Sequence, residues 1–205
     1  MELREQCMNR TMELLSAQGL KFTMNDLAKD LHVSKKTLYK VFDSKEEMLL
    51  AIAEDCFATI KQSEREVLED GDLPLIQKIK RLIIVLPEQY KNLNWYLMEE
   101  VAERYPKVYA YIRKRMENDW EPTLQLLEEG MAQGVLKSTN IYVFKGMVEG
   151  CMEHFLISSE LKEQKISYTD ALEAMMNILL RGIVKEEYID EVLNFEVTEN
   201  EEAAV

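Results

Sequence analysis

The chain has 205 residues, of which 47% are hydrophobic and 31% charged, so it can bury a sizeable core. Its seven glycines and four prolines are too few turn formers for a many-stranded β protein, and the abundance of Leu, Met, Glu, Lys and Ala favours an all-α fold. Three scattered cysteines, Cys7, Cys56 and Cys151, argue against a disulfide framework. Because the N-terminus is charged and no apolar run approaches the ~20 residues of a membrane helix, we expect a cytoplasmic protein.

The negative charge is distributed unevenly along the chain. The formal net charge is −13, but residues 1–47 hold equal numbers of basic and acidic side chains, so the whole excess lies after residue 47. Residues 34–45 contain four lysines and one aspartate. A basic strip on an acidic body orients a protein on DNA, so the acidic total does not exclude binding to nucleic acid.

Four helices are predicted in the N-terminal third of the chain. Apolar residues at helical spacing, followed by Gly19 as a left-handed cap, predict the first of them. Thr23 and Ser44 each begin a capping-box pattern, and Ser34 can cap a short helix between them. The predicted spans are 2–18, 24–31, 34–40 and 44–67. The second and third are too short to be stable alone, so we expect them to pack against the first.

The rest of the chain is predicted to form further helices, giving about nine in total. The predicted spans are 74–90, 93–104, 106–130, 139–161 and 168–188. Breaks are expected at Tyr105-Pro106, Gly134 and 165–167. Pro87 and Pro122 should kink or split the helices that contain them. Residues 196–205 are acidic and poorly apolar, so we expect a disordered tail there.

Two stretches of the N-terminal third follow a known pattern. Residues 19–28 have the sequence GLKFTMNDLA, and residues 33–49 have the sequence VSKKTLYKVFDSKEEML. In this order and spacing they closely resemble the DNA-binding region of the tetracycline-repressor (TetR) family, and the resemblance covers about 45 residues. His32 departs from the pattern, because these proteins usually have glycine at that turn. Histidine tolerates left-handed backbone geometry better than β-branched residues do.

The resemblance implies a helix-turn-helix DNA-binding domain at 1–47 and an effector-binding and dimerisation domain at 48–195. In a helix-turn-helix the second helix enters the major groove of DNA. Lysines suit phosphates and guanine acceptors, a threonine methyl can touch thymine, and Lys45 resembles the phosphate clamp of the family. The predicted DNA-binding residues are Thr23, Ser34, Lys35, Lys36, Thr37, Tyr39, Lys40 and Lys45.

The resemblance also implies an effector pocket among the middle helices and a homodimer made by the last two long helices. Aromatic and methionine side chains in the middle of the chain suit an adaptable apolar pocket, although ordinary core is the better explanation for any single one of them. The predicted pocket residues are Trp95, Tyr96, Met98, Glu99, Tyr109, Trp120, Phe144 and Met147. The predicted dimer residues are Phe144, Val148, Cys151, Met152, Phe155, Met175, Met176, Leu179 and Ile183. Intramolecular core would explain these apolar stripes as well, while Gly146, Gly150 and Gly182 would allow close helix packing.

Catalysis finds little support, since the chain has no phosphate-binding loop, nucleophile elbow or zinc-finger spacing, and no cofactor is expected. Cys151 and His154, with Glu149 and Glu153, could place metal ligands on one helical turn, but such Cys and His residues usually belong to a core. We therefore expect a dimeric repressor that a small apolar or amphipathic effector releases from a palindromic operator in double-stranded DNA. The alternative is a DNA-bound interaction protein of the same fold without a small-molecule effector.

Overall fold

The computed structural model of the chain describes residues 2–91 and 93–190, and these residues form helices joined by turns and short irregular segments. Within these ranges the only β-type pairing is an isolated antiparallel bridge between Leu136 and Val184. The all-α prediction is confirmed. The predicted acidic tail, 196–205, lies outside the described residues. None of the helices in the described ranges is long and apolar enough to cross a membrane.

The N-terminal third forms the four predicted helices. These are α1 (Leu3–Gln18), α2 (Met24–Asp30), α3 (Lys35–Leu38) and α4 (Lys45–Glu69). The first helix ends at Gly19, whose φ of 65° is a conformation that glycine adopts at no steric cost. The third ends two residues earlier than predicted because residues 39–41 form a turn.

Eight more helices follow in the described residues. They are α5 (Leu75–Ile84), α6 (Glu88–Lys91), α7 (Met98–Arg104), α8 (Pro106–Asn118), α9 (Glu121–Ala132), α10 (Ile141–Ile157), α11 (Ser159–Glu163) and α12 (Tyr168–Ile183). Pro87 separates α5 from α6, and Pro122 lies in the first turn of α9, where its missing N–H is not needed. The helices outnumber the nine or so expected because short segments such as α6 and α11 are counted separately.

The described residues group into two compact units that do not follow the predicted division at residue 47. The first unit comprises the residues up to Ile60 together with Leu86–Met116 and Leu156–Ser159. The second comprises Lys61–Val85, Glu117–Phe155 and the residues from Glu160 onwards. The predicted domains, 1–47 and 48–195, were drawn at the start of the long helix. The long helix α4 instead belongs to the first unit as far as Ile60 and to the second from Lys61 onwards.

In the first unit, the start of α4 packs beside α1 and the two short helices α2 and α3. Leu27 of α2, Leu38 of α3 and Phe42 are fully buried, as is Met48 of α4. The Thr11 hydroxyl of α1 donates a hydrogen bond to the Met48 sulfur at 3.2 Å. Burying one such large apolar side chain contributes about 1.5–3 kcal/mol, so these shared contacts stabilise helices that are too short to persist alone.

In the second unit, α5 packs against both α9 and α12. A Cβ atom at Gly130 would lie 2.8 Å from Leu136 Cδ1 and 3.0 Å from Leu75 Cδ2, so the close packing at this point of α9 requires glycine. The buried Lys80 of α5 forms an ion pair with Glu173 of α12, with an N–O separation of 3.5 Å. The Glu173 side chain is 43% exposed, so the pair lies at the edge of the core and gives the buried ammonium a carboxylate partner.

The end of α12 is tied to the segment between α9 and α10. The Lys137 N–H donates to the Ile183 carbonyl at 2.7 Å, and the Lys185 N–H donates to the Val135 carbonyl at 3.1 Å. These two hydrogen bonds flank the bridge between Leu136 and Val184, and both of its residues are buried. We call this pair of two short segments, 135–137 and 183–185, the clip.

Candidate nucleic-acid interface

Local capping interactions set the positions of α2 and α3. Thr23 forms the predicted capping box, because its hydroxyl accepts from the Asp26 N–H and the Asp26 carboxylate accepts from the Thr23 N–H. Hydrogen bonds from the Thr23 hydroxyl and N–H lower the pKa of Asp26. The Ser34 hydroxyl accepts from the Thr37 N–H at 3.0 Å and so caps α3. The start of each helix is therefore fixed by residues three positions apart.

The turn between α2 and α3 contains the residue that departs from the family pattern. His32 has a φ of 53°, which is the left-handed conformation that glycine usually supplies. The chain then returns to α2 through a hydrogen bond from the Val33 N–H to the Ala28 carbonyl at 3.0 Å. Histidine therefore occupies the glycine position of the turn, and the helix-turn-helix is preserved.

One side of α3 and of the turn after it faces solvent. Leu38 is fully buried, whereas Lys35, Lys36 and Lys40 are exposed and Tyr39 is 46% exposed. Within the described ranges none of the three lysines forms an ion pair. We call Lys35, Lys36, Tyr39 and Lys40 the basic face of α3. A helix that presents ammonium groups and a phenol in this way suits the phosphates and acceptor atoms of a DNA groove.

The remaining predicted DNA-binding residues already have intramolecular partners. The Thr23 hydroxyl donates to Asp26 at 2.7 Å, and the Ser34 hydroxyl lies 2.7 Å from the Thr37 hydroxyl. All three take part in capping, and Thr37 is also partly buried. Thr23 and Ser34 each lie at the start of a short helix, so a contact from either hydroxyl to a phosphate stays a prediction.

Lys45 differs from the role implied by the resemblance. Its ammonium donates to the Leu20 carbonyl at 2.8 Å and to the Phe22 carbonyl at 2.6 Å, and it lies 3.6 Å from the centre of the Phe22 ring. Burial lowers the pKa of Lys45 to about 8, and repulsion from Arg104 adds to this effect, while the Glu100 carboxylate opposes it. In this structure the Lys45 ammonium therefore holds the turn between α1 and α2, and its role as a phosphate clamp stays a prediction.

Ser44 caps α4, but the capping box is completed differently from the prediction. The Glu47 N–H donates to the Ser44 hydroxyl at 3.1 Å, as expected. The Glu47 carboxylate accepts from the Asp43 N–H at 2.6 Å, one residue before the expected donor. The helix therefore begins where the sequence predicts, with Lys45 as its first residue.

The predicted pocket residues are divided between the two compact units. Trp95, Tyr96, Met98, Glu99 and Tyr109 belong to the first unit, and Trp120, Phe144 and Met147 belong to the second. Met98, Trp120 and Phe144 are buried, Glu99 is exposed, and Met147 is 51% exposed. An effector site lined by these residues stays a proposal.

The predicted dimer residues lie mostly on the inner sides of α10 and α12. Four of them, Phe144, Val148, Met175 and Met176, are buried within the chain, and the rest are partly buried. Other apolar residues of the same helices face solvent instead. These exposed residues are Tyr142, Val143, Met147 and Ile178, each at least half exposed. A Cβ atom at Gly146, Gly150 or Gly182 would meet no other atom within 4 Å, so these glycines serve no close packing inside the chain.

The sequence contains a signal for this second apolar surface. Val143, Met147 and Gly150 follow helical spacing one residue away from an inward series, the buried Phe144 and Val148 and the partly buried Cys151. A helix that is apolar on two sides buries one side in its own chain and leaves the other for a partner. Cys151 is partly buried and His154 exposed on the same helix, and the described residues contain no group of three or more metal-ligating side chains.

Comparisons with known proteins agree with this geometry. Residues 8–52 match the family model of bacterial regulatory proteins of the tetR family. The chain is 29% identical over 180 residues to YvaF, an uncharacterised HTH-type transcriptional regulator of Bacillus subtilis (strain 168), covering 88% of this chain and 95% of that protein.

Solved structures are similar over nearly the whole chain. A TetR-family transcriptional regulator from Marinobacter aquaeolei VT8 has a TM-score of 0.67 at 15% identity, covering 95% of this chain and 97% of that one. The ketosteroid transcriptional regulator KstR2 of Mycobacterium tuberculosis has a TM-score of 0.60 at 16% identity, covering 90% and 96%. The fold and the basic face of α3 define a helix-turn-helix, DNA-binding transcriptional regulator. Residues 8–52 thus match the tetR family of bacterial regulatory proteins, and nearly the whole chain shares the fold of solved transcriptional regulators.

Proposed function

We propose that the protein is a dimeric repressor that binds a palindromic operator and is released from it by a small apolar or amphipathic effector. The observation that carries the proposal is the basic face of α3, which lies on a capped helix above the buried Leu38. Lys35, Lys36 and Lys40 supply contacts to phosphates and guanine, and Tyr39 donates its hydroxyl to a phosphate. Each protomer occupies one half-site of the operator.

The dimer is supported by the exposed apolar surface of α10 and α12. Val143 and Met147 of α10 are 58% and 51% exposed, and Ile178 of α12 is 72% exposed. Single exposed apolar residues are common, but a series at helical spacing on a long helix indicates a partner surface. We call α1, α2, α3 and the start of α4 the head. A second copy of the chain supplies a second head, so that each half-site of a palindromic operator can be bound by one.

The release mechanism that we propose is a shift between two states of the dimer. The effector binds more tightly to a state in which the two α3 helices no longer match the half-site spacing, so the operator-bound state is depopulated. The 25-residue α4 begins beside the DNA-binding residues and acts as the lever. The name of KstR2 describes it as a ketosteroid regulator, which supports an apolar or amphipathic class of effector for this fold.

Replacing Tyr39 by alanine is expected to weaken operator binding by about five-fold to 150-fold, because one phosphate or groove contact contributes roughly 1–3 kcal/mol. The measurement is fluorescence anisotropy with labelled DNA from beside the protein's own gene, in a salt series. The wild type should bind that DNA, or a site enriched from a random pool, with affinity that falls steeply as salt rises. Lack of binding by the wild type at low salt would refute the DNA-binding function.

The effector part of the proposal predicts that an apolar ligand raises the melting temperature and also releases DNA. A thermal-shift screen with sterols, fatty acids and aromatic compounds selects the ligands, and anisotropy then measures operator affinity at saturation. A coupling of about 1–3 kcal/mol corresponds to a five-fold to 150-fold loss of affinity. A stabilising ligand that leaves operator affinity unchanged contradicts this release mechanism, and a panel without any stabilising ligand favours a regulator without a small-molecule effector.

A further inference from the structure

The start of α4 lacks an outward cation in this structure. The segment 43–47 contains Asp43, Lys45, Glu46 and Glu47, and the ammonium of Lys45 is bound to the Leu20 and Phe22 carbonyls. Glu46 lies 3.8 Å from Lys107, which partly compensates its charge, whereas Glu47 is exposed. The edge of the head that follows the basic face of α3 therefore presents carboxylates, which repel the phosphates of a bound duplex.

A cation from another helix lies at this same edge. Arg4 is in the first turn of α1, and its guanidinium carbon is 4.6 Å from the centre of the Phe42 ring. Phe42 is two residues beyond Lys40 and is fully buried, so the position of its ring is fixed by the core. The arginine side chain thus lies against the segment that joins α3 to α4.

The contact with Phe42 orients Arg4 without using its hydrogen-bond donors. A guanidinium that lies over an aromatic ring does not use its N–H groups in that contact. They stay free to donate, and two of them can bind two oxygens of one phosphate. Arg4 is exposed, and no ion pair or hydrogen bond to its side chain is found among the described residues. Arg10 on the same helix is different, because its guanidinium donates to Asp30 at 2.8 and 3.0 Å and also pairs with Glu13.

We propose that Arg4 binds a backbone phosphate of the operator beside the basic face of α3, at an edge where the Lys45 ammonium is turned inward in this structure. The contact is to the sugar-phosphate backbone, so it adds affinity on any duplex and does not discriminate between base sequences. The proposal rests on the proposed DNA-binding function and adds to it a residue outside the helix-turn-helix pattern.

The test is the salt dependence of DNA binding for the wild type and for Arg4→Gln. Each phosphate contact contributes about 0.9 to the slope of log affinity against log salt concentration. The wild-type slope should therefore exceed that of Arg4→Gln by about 0.9. The affinity ratio of wild type to variant should fall roughly 3.5-fold between about 50 mM and about 200 mM salt, and by the same factor on operator and non-operator DNA.

Two variants make the comparison specific. Arg4→Lys keeps the positive charge and should keep most of the slope, whereas Arg10→Gln removes a cation that already has carboxylate partners and should leave the slope unchanged. Melting temperatures of all variants, measured without DNA, separate a lost contact from an unfolded head. An Arg4→Gln protein that melts normally and keeps the full wild-type slope overturns the proposal while leaving the regulator function intact. A wild type without salt-dependent binding refutes the function itself.

Discussion

Replacing Ile178 by arginine is expected to convert the dimer into a monomer and to weaken binding to the full palindrome by at least ~100-fold, since binding through two linked sites exceeds one-site binding by about 10²–10⁴. Ile178 is 72% exposed on α12, so the substitution does not disturb the chain's own core. In the proposed dimer the same position is covered by the partner. A buried, unpaired guanidinium is strongly destabilising there.

The measurement combines light scattering for the oligomeric state with anisotropy on the full palindrome and on a single half-site. The half-site affinity should remain that of the wild type, because the basic face of α3 is untouched. Gln125→Arg is the matched control, because it introduces the same charge at an exposed position of α9 in the same unit. An Ile178→Arg protein that stays dimeric places the dimer contact somewhere other than this surface.

Replacing Phe42 by alanine should lower the free energy of unfolding by about 3–5 kcal/mol, the usual cost of removing a large buried aromatic side chain. The ring has no exposed surface, and it lies between the end of α3 and the start of α4. Total stabilities of about 5–15 kcal/mol leave little margin after such a loss. Operator binding should fall with stability, because the head loses the residue that supports both α3 and Arg4.

Tyr39→Ala provides the contrast three residues earlier. Tyr39 is 46% exposed, so its truncation should change the free energy of unfolding by less than about 0.5 kcal/mol while still weakening DNA binding. Urea unfolding of both variants measures the stabilities, and anisotropy measures the affinities. If the two variants lose similar amounts of stability, the assignment of one aromatic ring to the core and the other to DNA is wrong.

The local structure of the head was predictable because it depends on residues close together in sequence. The capping interactions of Thr23 and Ser34 each involve a residue three positions later, and the left-handed turn at His32 lies between two recognisable helices. The burial of Leu38 follows from the same spacing. For such short-range features the sequence contains all the partners that the argument needs.

The direction of the Lys45 side chain could not be predicted in this way. Its hydrogen-bond acceptors, the Leu20 and Phe22 carbonyls, are more than 20 residues earlier in the chain. Arg104, which contributes to its lowered pKa, is much further along. The packing of α1, α2 and α4 brings these groups together. The residues near Lys45 in the sequence do not indicate that packing.

The sequence does not show which of the two apolar sides of α10 faces the chain's own core. Phe144 and Val148 face the chain's own core, and Val143 and Met147 face solvent, although all four are apolar. Neighbouring positions on a helix are rotated by about 100°, so the hydrophobic pattern alone defines two surfaces without saying which one is internal. The predicted dimer residues were taken largely from the internal surface for this reason.

The clip orders the exposed apolar surface of α10 and α12 before a partner binds. It joins Leu136 to Val184, and the chain between them carries the exposed apolar residues of α10 and the exposed Ile178 of α12. Closing that loop reduces the conformational entropy of the chain, and this loss grows only slowly with the length of the loop. The loss occurs when the chain folds. The surface residues Val143 and Ile178 are then already ordered before any encounter, which reduces the entropy still to be lost on association. Without the clip, part of that loss would fall at the moment of binding.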